Sequence, residues 1–127
     1  MRLAEYFEKA EGIGILSTAD SNGKVNAAVY GRPHVIDEKT IAFIAADRLT
    51  HANLQDNPSA AYLFKENGSF TGKRLYLTKS REEENSPLID EIRRRKPGKS
   101  EDQGKKESKY LIYFTVNHVL PLIGDGL

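Results

Sequence analysis

The sequence predicts a mainly β protein, a small barrel with flanking helices, and three observations carry that expectation. Short apolar stretches rich in β-branched and aromatic residues recur along the chain, separated by turn clusters such as Asp20-Ser21-Asn22-Gly23 and Asp37-Glu38-Lys39. Helical spacing of apolar residues is confined to three brief segments. The strands follow one another across turns rather than alternating with long helices, which favours a barrel over a parallel α/β sheet. A chain of 127 residues suits one domain, residues 1–127, with a real core but no roomy internal active site. A cofactor is therefore expected to share a surface cleft with a second subunit.

Along the chain, Leu3, Phe7 and Ala10 recur at helical spacing, and Gly12 is expected to close that helix. Ile13 to Ala19 and Lys24 to Tyr30 read as two strands of a hairpin around the Asp20–Gly23 turn. Gly31-Arg32-Pro33 interrupts the pattern. His34-Val35-Ile36 then leads through a polar turn into Ile41 to Ala46, the longest uninterrupted apolar run and a second hairpin. Residues Arg48 to Pro58 form the expected interior helix. Thr50 is its expected cap, Leu49 and Leu54 are spaced as a hydrophobic staple, and Pro58 forbids continuation.

Ala60 to Phe64 and Arg74 to Thr78 supply two further strands, with Gly68 and Gly72 marking the bend between them. Asn67-Gly68-Ser69 has the spelling of a glycosylation site but reads as a turn. Ser86-Pro87 opens a helix whose apolar face is Leu88, Ile89 and Ile92, and Pro97-Gly98 stops it. Residues 97–108 carry dense charge of both signs and read as a mobile loop. Tyr110 to Val116 is nearly all apolar, so it is expected to be buried on both faces. The tally is six or seven short strands and three helices.

Composition excludes several functions. There is no Cys, hence no disulfide, thiolate nucleophile, Cys-ligated zinc or iron–sulfur cluster. Lys plus Arg number 19 against 18 Asp plus Glu, a net charge of +1 that gives no global field for nucleic acid or an anionic membrane. No apolar run approaches the length of a membrane span. The N-terminal segment carries Glu5, Glu8, Lys9 and Glu11 rather than a basic start and apolar stretch, so a cytoplasmic location is expected.

Motifs narrow the field further. Gly98-Lys99-Ser100 ends like a P-loop, but the motif's first glycine would fall at position 93, which is Arg93. His34, His51 and His118 lack metal-ligand spacing, so no metal is expected. The cations of Arg93-Arg94-Arg95-Lys96, after Asp90 and Glu91, suit the macrodipole of a helix better than a nucleic-acid patch. More informative is the start of the interior helix. Its unpaired backbone N–H groups, with the Arg48 guanidinium and the Thr50 hydroxyl, can form a phosphate pocket that Arg32 can also reach. Plain capping by Thr50 beside two solvated arginines is the competing explanation.

These same residues carry a resemblance to the pyridoxamine 5′-phosphate oxidase-like FMN-binding split barrels, over Gly14 to about Thr78. Gly14-Ile15-Leu16-Ser17-Thr18-Ala19-Asp20 with Gly23-Lys24-Val25-Asn26 resembles the family's opening hairpin. Arg32-Pro33-His34-Val35-Ile36-Asp37 resembles its arginine-led strand. Ile44 to Leu54 with Asn57-Pro58 resembles its strand, phosphate-binding turn and helix.

The resemblance implies a six-stranded split barrel, a homodimer holding FMN at the subunit interface. Arg32, Arg48, Leu49 and Thr50 would surround the phosphate. Tyr30, Gly31, Pro33 and His34 would run beside the ring or ribityl chain, Ile44 and Ala45 along the other strand, and Asn53 one turn into the helix. Lys73 and Arg74 fall near where a neighbouring subunit would reach the flavin. Two departures stand out: Arg48-Leu49-Thr50 replaces the family's more basic phosphate triplet, and only Val119-Leu120-Pro121-Leu122 occupies the region of the oxidases' substrate signature.

The implied activity is that of a small flavin-dependent oxidoreductase or reductase, not a true pyridoxamine phosphate oxidase. Its expected partner is a small electron donor or acceptor such as NAD(P)H. No catalytic acid or base is assigned, His34 being the best titratable candidate near the ring. The alternatives are an FMN carrier without turnover, or a barrel holding F420 or pyridoxal phosphate.

Overall fold

A computed structural model describes residues 2–95 and 108–125. The elements run α1 (Leu3–Lys9), β1 (Gly12–Ala19), β2 (Val25–Val29), β3 (His34–Asp37), β4 (Thr40–Ala46), α2 (Leu49–Asp56), β5 (Ser59–Glu66), β6 (Gly72–Glu84), α3 (Pro87–Arg95) and β7 (Lys109–Pro121). All seven strands form one antiparallel sheet in the order β2-β1-β5-β6-β7-β4-β3. The mainly β class holds, with one strand more than the six of the expected split barrel. The loop expected over 97–108 lies almost wholly outside the described residues.

Chain connectivity forces this sheet to curl. Its two edge strands, β2 and β3, are consecutive in sequence and joined only by residues 30–33. Laid flat, seven strands at about 4.8 Å spacing would set the edges about 29 Å apart. The link from Val29 to His34 reaches at most about 18 Å when fully extended. The edges therefore approach without pairing, and the barrel is left split along a seam between β2 and β3. Tyr62 on β5, fully buried, stabilises that link from within: its hydroxyl donates to the carbonyls of Tyr30 (3.1 Å) and Gly31 (2.9 Å).

Strand alternation sorts the core into two layers. Inside the barrel, Leu16, Ile41, Phe43, Tyr62, Phe64, Leu75 and Phe114 pack with Leu3 and Phe7 of α1 and Leu54 of α2. Phe7 meets Phe64 edge-on at 5.5 Å. On the other face of β4 and β7, Ala42, Leu111 and Tyr113 pack against Ile89 and Ile92 of α3. Residues 111–114 of β7 are thus buried on both faces, as their continuous apolar character predicts.

Three local expectations need correction. Gly12 does not close α1, which ends at Lys9 with Ala10 as its cap; it opens β1, where a Cβ would collide with the Lys65 backbone. Arg48, not Thr50, is the N-cap of α2. The Arg48 carbonyl accepts the first helical bond from Ala52 (3.0 Å), Thr50 lies inside the first turn, and Leu49 is too exposed to act as a staple. Strands β6 and β7 are also far longer than expected, each with thirteen residues and register shifts at Tyr76/Leu77 and Lys79/Arg81 that bend the pair.

The charged stretch at the end of β6 becomes strand because tertiary partners occupy its polar groups. Arg81 lies 3.8 Å over the Tyr113 ring, and Glu82 accepts from Lys79 (2.8 Å), Gln55 (2.9 Å) and the His51 ring (3.0 Å). Burial alone would raise the Glu82 carboxyl; those hydrogen bonds overcome it and hold the pKa at about 2 instead of 4.5. The resulting stabilisation is full above pH 4.5 and is lost as pH falls towards 2. Glu82→Gln is expected to remove that part of the acid limb. Urea unfolding of both proteins across this pH range measures it, and parallel profiles would contradict the assignment.

Candidate functional site

The seam leaves a cleft where β2 fails to pair. A hollow of about 460 Å³ is floored by β2 and the 30–33 link on one side and by β4 and the start of α2 on the other. Asn26, Ala28 and Tyr30 face it at every second residue, opposite Ile44 and Ala46, and Arg48, Leu49 and Thr50 close one end. A smaller hollow of about 160 Å³ adjoins it, sharing Tyr30, Gly31 and Ile44 and continuing to Arg32, His34 and Ile92.

The α2 end presents backbone donors beside a cation. The amides of Leu49, Thr50 and His51 belong to a first turn in which the helix supplies no acceptor, and no side chain caps them. They carry the positive end of the helix dipole. Thr50 is buried, and its hydroxyl is hydrogen-bonded to Tyr30, whose phenol burial pushes up and this bond draws partly back. Tyr30 is held in turn by the edge of Phe43 at 5.8 Å. Arg48 adds the cation, while Ala28, Ile44 and Ala46 provide an apolar strip leading away from the turn.

The structure gathers Tyr30, Gly31, Ile44, Arg48, Leu49 and Thr50 around the larger hollow, and Arg32 and His34 at the smaller one. Arg32 does not line the α2 turn. Its Nη1 donates to the carbonyls of Phe7 (3.0 Å) and Ala10 (2.8 Å), serving the C-terminal end of α1. Three expected residues lie apart from the cleft. Ala45 faces the barrel interior, because strand alternation turns it away from its neighbours Ile44 and Ala46. Pro33 is buried without lining either hollow. Asn53 points inward too, donating to the Thr18 hydroxyl (3.1 Å) and tying α2 to β1.

Lys73 and Arg74 have intramolecular partners: Lys73 sits over the Tyr6 ring at 4.6 Å, and Arg74 donates to the Pro121 carbonyl (2.9 Å). Of the residues missed in the sequence, Asn26 and Ala28 were findable, since they precede Tyr30 at strand period. Ile92 was not, because only folding brings α3 against β4. Among the described residues no group of three His, Asp or Glu side chains is arranged to hold a metal, and no helix is long and apolar enough to cross a membrane.

No protein-family model matches the sequence, and no curated protein does. Solved structures do match. An FMN-binding protein from Syntrophomonas wolfei superposes with a TM-score of 0.77 at 22% identity, over 97% of this chain and 85% of that one. An F420 reductase superposes at 0.67 with 17% identity, over 91% and 94%. A putative pyridoxamine 5′-phosphate oxidase from Lactobacillus delbrueckii does so at 0.67 with 15% identity, over 93% and 89%. The chain has the fold of the pyridoxamine 5′-phosphate oxidase-like FMN-binding split barrels.

Proposed function

We propose that this chain is a small FMN-binding flavoprotein, a cytoplasmic flavin-dependent oxidoreductase that works as a homodimer. The observation that carries this is the first turn of α2, whose N-cap makes no side-chain bond, opening with Arg48 and Thr50 into a cleft lined mainly by aliphatic and aromatic side chains. An aromatic phosphate ester needs that combination: charge-assisted donors for the ester at one end and a dry groove for the ring. The fold neighbours named for FMN binding and F420 reduction support the same chemistry.

FMN, when bound, supplies the electron transfer. The protein's part is to hold and shield. The α2 amides and Arg48 bind the phosphate, while the Thr50 hydroxyl holds Tyr30 beside them. Tyr30 and Gly31 line one wall and Ile44 the other, keeping water from the ring. The smaller hollow, bounded by Arg32, His34 and Ile92, is where a small electron donor or acceptor such as NAD(P)H would approach.

The outer face of the sheet supports the dimer. Register places Val29 beside Ile15 and Ile15 beside Leu63, with Ala27, Ser17, Ala61 and Tyr76 forming the next row. Val29 is 68% exposed, Tyr76 43% and Leu63 38%, apolar side chains on one face that a partner would cover. Because β2 carries both this face and the cleft, a second copy seated there would wall the cleft's open side.

Purification tests the proposal directly. The expected result is a dimer by sedimentation with a flavin spectrum, FMN released on denaturation, and NAD(P)H oxidation when an acceptor is added. Leu63→Lys is expected to yield a monomer with weaker FMN retention. A protein that takes up no added FMN sinks the proposal, and retention of F420 or pyridoxal phosphate instead would reassign the ligand. Bound FMN without turnover would make it a carrier.

A further inference from the structure

His51 is the most completely engaged polar side chain outside the cleft. It is 8% exposed, and its ring stacks on Tyr110 at 3.7 Å and 13°. Nδ1 lies 3.4 Å from Asp47 Oδ1, and Nε2 lies 3.0 Å from Glu82 Oε2. Gln55 Nε2, 3.1 Å from His51 Nε2, and Lys79 Nζ both donate to Glu82 Oε1, at 2.9 and 2.8 Å. Neither hollow touches His51.

Its place in the chain gives this network a consequence. Asp47 is the residue immediately before the N-cap Arg48, and His51 directly follows Thr50. One imidazole therefore brackets the anion-binding turn from both sides and ties it to β6 through Glu82 and to β7 through Tyr110. The N-cap Arg48 makes no side-chain capping bond, so these contacts, together with the Asn53–Thr18 and Thr50–Tyr30 bonds, hold the direction of the first amides. A turn that binds through several converging donors loses affinity when the shell behind it slackens.

We propose that the His51 side chain is a positioning group for the anion-binding turn, holding Asp47, Arg48 and the first α2 amides in register for a phosphate ester that the imidazole itself does not touch. The proposal rests on the flavin site described above. It is tested with His51→Gln and Asp47→Asn. Through charge alone, losing Asp47 would tighten an anion. Loss of positioning loosens it in both variants.

The measurement is the affinity for FMN and for riboflavin, by flavin fluorescence titration of the full chain. The FMN-over-riboflavin preference is expected to fall about fivefold in each variant, the loss carried by about one mispositioned hydrogen bond, with riboflavin affinity unchanged. A purely structural role would lower thermal stability and leave the preference intact, and that result overturns the proposal. So does a tightened preference in Asp47→Asn, which decides alone if His51→Gln does not fold, since the Asp47 side chain is 63% exposed. A native protein that does not distinguish FMN from riboflavin would instead overturn the phosphate site itself.

Discussion

Arg48→Ala is expected to weaken FMN by about 1.5–3 kcal/mol, roughly 10- to 100-fold, while riboflavin affinity barely changes. The two ligands share a ring and ribityl chain and differ only in the ester, so their ratio isolates the α2 turn from the walls of the cleft. Arg48 is exposed and forms the N-cap through its backbone, whose carbonyl accepts from Ala52. Alanine keeps that backbone bond, so a folded variant is expected. Raising the salt concentration should shrink the difference between native protein and variant, because an exposed cation is screened. Equal losses for both flavins would show that Arg48 acts on the cleft as a whole, not on a phosphate.

Gly14→Ala is expected to destabilise the chain by about 3 kcal/mol, or roughly 10 °C in melting temperature for a chain of this size. A Cβ at Gly14 would overlap the Tyr62 hydroxyl and lie 2.5 Å from the Tyr30 carbonyl oxygen. Neither neighbour can yield cheaply. Tyr62 is fully buried and its hydroxyl is committed to the Tyr30 and Gly31 carbonyls, while Gly14 itself accepts from the Tyr30 amide at 2.9 Å. The displaced group is the link across the seam, so flavin affinity should fall with stability. Thermal melting and FMN titration of the same preparation measure both. A variant as stable as the native chain would mean that the seam is looser than its hydrogen bonds imply.

Local pattern made most elements legible. Turn clusters such as Asp20–Gly23 and the apolar run Ile41–Ala46 marked the two hairpins, and Pro58 marked the end of α2. The start of α2 was legible for the same reason: a helix start next to Arg48 is a local event. The cap was misread because Thr50 is a good capping residue by type, whereas burial of its hydroxyl against Tyr30 turns it to another use. The strand expected over Arg74 to Thr78 stopped short of the charged end of β6 because Lys79, Gln55 and His51, which hydrogen-bond Glu82, come partly from another element.

By itself, then, the sequence determined the mainly β class, the hairpins and the residue types at the head of α2, all of which depend on neighbours a few positions away. Tertiary structure alone decided which of those residues share a cleft. Arg32 passed to α1, Asn53 and Ala45 turned inward, and Ile92 arrived from α3. The physical reason is closure: the short 30–33 link pulls the edges of a seven-stranded sheet together, and side chains far apart in sequence then compete for one seam.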